Sequence, residues 1–248
     1  MKRAIYFLIS VIFLANANIF ISKTQPGIDF ETGIVFSGYN NVRIPGDEGT
    51  LFSMNGDLKA NEKVFYRLRF NYTIGERHDI SFLYAPLTVK SSGSKGTDIL
   101  FEGVVFPAGT SIDGEYKFNS YRLTYRYDFI KKDAFELGMG FTAKIRDAKI
   151  ALASGPVESV KTNVGFVPIL NFRMLWNFKE NLGVLVYGDA LAAPQGRAED
   201  ILVALRYRLS DKLSLKGGYR ILEGGADNDE VYNFTLFNYL LVGFSFNL

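Results

Sequence analysis

Phe234-Thr-Leu-Phe-Asn-Tyr-Leu-Leu-Val-Gly-Phe-Ser-Phe-Asn-Leu248 is the stretch whose reading decides the fold. Successive side chains of an extended chain point to opposite faces. Phe234, Leu236, Leu240, Val242, Phe244, Phe246 and Leu248 therefore share one face, and Thr235, Gly243, Ser245 and Asn247 the other. The same alternation recurs upstream. In 121–129, Tyr121, Leu123, Tyr125, Tyr127 and Phe129 oppose Arg122, Thr124, Arg126 and Asp128. In 64–74, Val64, Tyr66, Leu68, Phe70, Tyr72 and Ile74 oppose Arg67, Arg69, Asn71 and Thr73. In 201–210, Ile201, Val203, Leu205, Tyr207 and Leu209 oppose Arg206, Arg208 and Ser210.

Extended over the chain, this pattern predicts ten strands, near 28–37, 62–74, 79–90, 115–129, 134–147, 162–178, 182–191, 199–209, 213–222 and 233–248. Aromatics make up 15% of the residues, and 24 glycines punctuate the segments, as a many-stranded all-β chain requires. The connections alternate. Tight turns are expected at 75–78, 130–133, 179–181 and 210–212, and long loops at 38–61, 91–114, 148–161, 192–198 and 223–232. Ile99 to Phe106 reads as an extra piece of strand, so counts of eight or twelve stay open beside ten.

Short and long connections in alternation describe an antiparallel up-and-down barrel with tight turns at one rim and loops at the other. The final strand resembles the closing strand of bacterial outer-membrane β-barrels, which typically end in an aromatic residue. Here the last residue is Leu248, with Phe246 one step back. The blocks Ala192 to Glu199 and Glu223 to Glu230 likewise resemble uncharacterised barrels of that kind. The resemblance implies contact with outer-membrane lipid and lipopolysaccharide, and recognition of the C-terminal strand by the barrel assembly machinery. It implies no activity and no functional residues. A soluble barrel would turn the apolar face inward. Membrane is favoured by aromatics near strand ends (Phe30, Tyr72, Phe82, Tyr127, Phe135, Trp176 and Tyr207), by small residues such as Gly33, Gly138, Gly140 and Gly243 on the polar face, and by strand length.

At the other end, Lys2 and Arg3 precede the apolar stretch Ala4 to Leu14, and Ala15-Asn16-Ala17 offers small residues to a signal peptidase. Residues 1–17 are expected to be a signal peptide and 18–248 a single barrel domain. Cleavage would leave 26 basic and 26 acidic residues, an electrostatic balance that gives no case for nucleic acid. The absence of cysteine excludes disulfides and thiolate metal sites.

If the apolar face meets lipid, the lumen receives Arg67, Arg69, Arg122, Arg126, Lys144, Arg146, Arg173, Arg206, Arg208, Lys216 and Arg220, with Asp29, Glu31, Asp128, Glu136 and Asp189 facing them. Buried charges are costly unless paired, so these residues should form a network. A plug of paired charges is the expectation, because small barrels fill with their own side chains. A narrow anion passage competes with it. The chain is read as non-enzymatic. His78, the only histidine, neighbours Asp79 and Ser81, but one short turn and strand start does not give a catalytic geometry. Two further functions compete: an enzyme modifying outer-leaflet lipid, and a lateral carrier of small apolar molecules. For the carrier, Pro86 and Pro168 would interrupt the wall. Finally, Asp227, Asp229 and Glu230 in the last outer loop form a weak candidate site for Ca²⁺ or Mg²⁺, lacking the spacing of a calcium loop.

Overall fold

The computed structural model describes residues 24–194 and 196–248. The expected signal peptide, residues 1–17, lies outside them. Fourteen strands follow in order: β1 (Thr24–Arg43), β2 (Phe52–Ser53), β3 (Lys63–Ile74), β4 (His78–Ala85), β5 (Thr88–Gly93), β6 (Ile99–Phe101), β7 (Val104–Phe106), β8 (Ile112–Lys132), β9 (Phe135–Ser154), β10 (Val157–Asn177), β11 (Leu182–Ala193), β12 (Gly196–Arg208), β13 (Leu213–Asp227) and β14 (Tyr232–Asn247). Neighbours in sequence pair antiparallel from β8 to β14, β8 pairs β4, and β3 pairs β1. The decisive C-terminal strand closes the ring by pairing with β1, from Gly27↔Asn247 to Arg43↔Tyr232. Counting β4 and β5 as one interrupted strand, the result is a closed ten-strand antiparallel barrel. Closure leaves no strand of the ring unpaired on either side through the shared middle of the barrel.

β4 and β5 are separated at Pro86 and Leu87, yet both keep one register on β8, Ala85↔Ser120 and Thr88↔Lys117. Pro86 has no N–H to give. The Leu87 N–H turns to the Asn119 side chain at 3.2 Å, and the Phe118 N–H donates to the Leu87 carbonyl at 2.8 Å. Pro86 thus marks a local distortion, not a break in the wall.

The tight turns fall at 75–77, 133–134, 178–181 and 209–212, on the same side as both ends of the described chain. Gly75 (φ 60°) and Glu76 (φ 68°) both take left-handed backbone, and with Arg77 they complete a three-residue turn between the paired Ile74 and His78. At the opposite rim the expected loops 148–161, 192–198 and 223–232 are corrected. Their described residues are mostly strand, with 155–156 and 228–231 as tips and 194 following β11. Gly155 (φ 56°) with Pro156 makes the first of these tips. Ladder hydrogen bonds use backbone groups alone, so a small or acidic side chain does not stop them.

Among the described residues only 44–62 and 94–111 are true long connections, and they fold over the mouth. β2 pairs β1 through Val42↔Phe52, and β6 and β7 form a separate hairpin, the extra strand expected at Ile99 to Phe106. The Thr50 N–H donates to the Leu100 carbonyl and the Glu102 N–H to the Ile44 carbonyl, both at 2.9 Å. Beneath them Phe52, Met54, Leu58, Phe101 and Phe106 pack against the inward Val42, Ile112, Ile150 and Leu152 of the strands. The outer half of the lumen is therefore an apolar core capped by loops, a feature the charge pattern does not suggest.

The outer face below this level is apolar. Tyr72, Tyr127, Trp176 and Tyr207 are exposed near the turn-bearing rim, with Phe70, Leu123, Phe141, Val203, Leu205, Leu240 and Val242 above them. Tyr84 stacks on Tyr121 with ring centroids 5.4 Å apart, and Tyr66 meets Tyr84 edge-on at 6.1 Å. Higher on β8 and β9, Lys117 pairs with Asp147 at 2.8 Å and Lys149 with Glu115 at 2.5 Å, where the wall leaves the apolar band. Water would not tolerate so broad an apolar belt, and an aromatic-bordered belt of this kind suits a bilayer.

Candidate functional site

Midway down the barrel, charged side chains cross the lumen as a layer. Arg122 of β8 is 1% exposed; its Nη1 donates to Asp189 on β11 at 2.6 Å, and its Nη2 lies 2.6 Å from Asp200 on β12. Asp200 also accepts from Arg67 of β3 at 2.9 Å and from Arg220 of β13. Arg220 reaches on to Glu31 of β1 at 2.8 Å, and Lys216 bridges Glu31 and Asp29, each at 2.7 Å. Asp189 takes two further hydrogen bonds, from Thr142 at 2.7 Å and Asn171 at 2.9 Å. Arg67, Arg122, Lys216 and Arg220 thus meet Asp29, Glu31, Asp189 and Asp200, a balanced set spanning strands on all sides. Such a set can be buried because each charge has a partner.

The sequence makes room for the interior charges, in the layer and below it, by placing glycine opposite large polar residues. Gly138 pairs with Asp128 and Gly140 with Arg126 in register. A Cβ on Gly138 would lie 2.1 Å from Asp128 Oδ1. Gly243 faces both Glu31 and Lys216 across its two ladders.

Below the layer a second group lines a polar cavity of about 420 Å³ reaching the turn-bearing rim. Arg126 contacts Asp128 at 2.8 Å and Asp79 at 3.5 Å. Arg69 donates to Ser81 at 2.9 Å and lies 4.8 Å over the Tyr187 ring. Glu136 receives Arg173 at 2.5 Å and Lys131 at 3.3 Å. Arg206 bonds to Ser214 at 2.8 Å. Arg208 stands apart from the network: it reaches the Glu180 carbonyl at the rim, 2.8 Å away.

Of the residues the sequence places in the lumen, the structure brings Arg67, Arg122, Asp189, Lys216 and Arg220 into the layer and Arg69, Arg126, Asp128, Glu136, Arg173 and Arg206 into the cavity beneath. Asp200, which like Glu31 meets three cations of the layer, is absent from that set. It shares the even parity of Arg206 and Arg208 on β12, so strict alternation carried to the start of that strand finds it. Asp79 lies in β4, as expected, and points inward to Arg126, whereas His78, expected in the turn, opens that strand. His78 faces the opposite way, with Nδ1 2.9 Å from the Tyr125 hydroxyl and its ring 5.0 Å from that of Tyr127. His78, Asp79 and Ser81 therefore do not converge.

Asp227, Asp229 and Glu230 are not gathered into a ligand set. Among the described residues no three acidic or histidine side chains approach closely enough to hold a metal. The tip is organised by Asn228, whose Oδ1 accepts the N–H groups of Glu230 at 3.1 Å and Val231 at 2.9 Å.

A closed ten-strand barrel with a lipid-compatible belt and charged interior defines an integral outer-membrane β-barrel protein, located in the bacterial outer membrane. No family model matches the sequence, and no curated protein matches it significantly. Among solved structures, the outer membrane protease OmpT from Escherichia coli is 11% identical with a TM-score of 0.49, covering 90% of this chain and 97% of its own. The attachment invasion locus protein Ail of Yersinia pestis is 10% identical with a TM-score of 0.38, covering 90% and 99%. Neisserial surface protein A is 12% identical with a TM-score of 0.38, covering 92% and 100%. Identity of this order transfers no residue roles.

Proposed function

We propose that the protein is a non-enzymatic outer-membrane barrel whose lumen is plugged by its own charges and capped by its outer loops, with a structural and ligand-binding role instead of conduction. The observation that carries this reading is Arg122, fully buried between Asp189 and Asp200 in a layer where cations and carboxylates are matched. An open anion passage would instead leave cations facing water without carboxylate partners. The non-enzymatic part is supported by His78, whose ring sits on the outward face beside Tyr125 and Tyr127, away from Asp79 and Ser81. Insertion would use β14, the strand offered to the barrel assembly machinery, and the apolar belt would contact membrane lipid.

Planar-bilayer recording tests the plug. The unmodified protein is expected to give no discrete channels. The double variant Arg122→Ser with Asp200→Ser, which removes one cation together with one of its carboxylates, is expected to open leaks. Large, stable, anion-selective channels from the unmodified protein would overturn the plugged reading.

A further inference from the structure

β10 continues outward to Val157, but its ladder with β11 stops at Leu170↔Ala190, and beyond that point it pairs with β9 alone. Pro168 stands two residues past the stop and has no N–H for a ladder. β11 meanwhile turns back into β12 at Ala193↔Gly196. The wall between β10 and β11 therefore lacks a ladder over its outer part.

A cavity of about 490 Å³ occupies this gap, within the size of ordinary ligand sites. Its lining includes Phe166 and Pro168, which belong to the outward face of β10, together with the inward Lys144 and Thr235, so it passes through the wall. Val164 and Phe166 beside the opening are 71% and 68% exposed on the outward side. Val167 and Leu191 add apolar lips.

The inner end is cationic. Lys144 is buried, with its ammonium 4.8 Å over the Phe118 ring. Arg146 bonds to the Asn163 side chain, and its Nε is buried without a partner. A Cβ on Gly165 would come 3.1 Å from the Arg146 guanidinium, so glycine there leaves that side chain its space. Neither cation joins an ion pair among the described residues, whereas Lys161 and Arg197 at the margin are matched by Glu102 and Glu223. Asp189 and Asp200 are already engaged by Arg122, Arg67 and Arg220. Glu223 and Glu230 also line the cavity, but Glu223 is held by Arg197 and neither carboxylate pairs with Lys144 or Arg146. Two basic side chains outside any ion pair, at the end of an apolar slot facing the membrane, suit an anion with a tail.

We propose that this cavity binds an acyl-chain amphiphile with an anionic head. The carboxylate or phosphate sits at Lys144 and Arg146, and the chain leaves between β10 and β11 past Phe166, Pro168 and Leu191 into the outer leaflet. The site rests on the ligand-binding part of the proposed function and gives it a substrate class and a route. It is a pocket entered from the side, with Tyr116, Phe118 and Thr235 lining its inner end.

Binding to the purified barrel in maltoside micelles tests this with three probes: oleate, oleoyl lysophosphatidic acid and neutral monoolein. Both anionic probes are expected to bind saturably at one per barrel, monoolein about tenfold more weakly or worse, since charged hydrogen bonds carry the difference. The tighter of the two anionic probes assigns the head as carboxylate or phosphate. Lys144→Gln with Arg146→Gln should weaken anionic binding about tenfold. Ala193→Trp, at the end of a hairpin where folding is tolerant, should weaken all three probes by filling the slot. Each variant must keep a heat-dependent gel shift. No saturable binding to the folded wild type, equal affinity for monoolein, or no effect of either variant would overturn the site. Loss of binding with a silent bilayer would sink this site and leave the plugged barrel standing, and channels with intact binding would do the reverse.

Discussion

Asp200 shows what a single buried residue does in this barrel. It is 2% exposed and serves three guanidinium groups from three different strands. Removing its charge leaves cations buried without a partner, a loss of about 3–5 kcal/mol for a pair broken on one side. Asp200→Asn is therefore expected to lower unfolding free energy in urea, measured in detergent micelles, by about that amount. Asp29→Asn should cost clearly less, because Lys216 keeps Glu31 at 2.7 Å. Equal losses for the two variants would mean the layer is not centred on Asp200. At the outer tip, Asp229 and Glu230 are solvated and Asn228 holds the turn. Added Ca²⁺ should leave the melting temperature unchanged. A rise abolished by Asp227→Asn and Asp229→Asn would restore the metal reading.

Among the elements, the capping connections depend on side-chain burial more than on ladders. β6 and β7 pair only with each other, and their anchors to the barrel include Phe101, fully buried and edge-on to Phe52 at 6.1 Å, and Lys161 to Glu102 at 3.1 Å. Phe101→Ala should destabilise the cap by about 3–5 kcal/mol through lost transfer and an unfilled cavity. The expected readout is faster tryptic cleavage at Lys95 with the barrel's gel shift unchanged. If cleavage stays slow, the polar anchors hold the cap without Phe101. β10 is the opposite case. Its backbone is ordered by β9 along its whole length, so its free outer edge persists without side-chain support.

For the whole molecule, the ring closes through β1 and β14, the first and last described strands, in one register interrupted once, between Ser37 and Tyr39. With no free strand at which to begin, unfolding must first break a whole ladder, so detergent alone should not unfold the barrel. Purified protein is expected to migrate differently on a gel with and without boiling. Identical migration, together with solubility in the absence of detergent, would contradict the membrane barrel.

Side-chain alternation determined where the ten wall strands lie, because the two-residue period of a strand is a local property that every segment carries independently, and the alternation of short and long connections determined their pairing order and the turn-bearing rim. The two-residue period also separated Arg67, Arg122 and Arg220 from the lipid face, since a side chain's face follows from parity. Which carboxylate each arginine meets was not local. Arg122 finds Asp189 and Asp200 across the lumen, 67 residues away in the first case, and only closure and shear bring those strands opposite one another. The same holds for the apolar cap, whose residues come from distant connections, and for the gap beside β10, which arises because adjacent hairpins differ in height. Strand length at the outer rim is not legible where Gly, Ala and Asp weaken the side-chain pattern, for the backbone there continues to pair after the alternation has faded. Tertiary structure alone decided where the lumen is blocked and where the wall is open, because both depend on distances between strands that no single strand encodes.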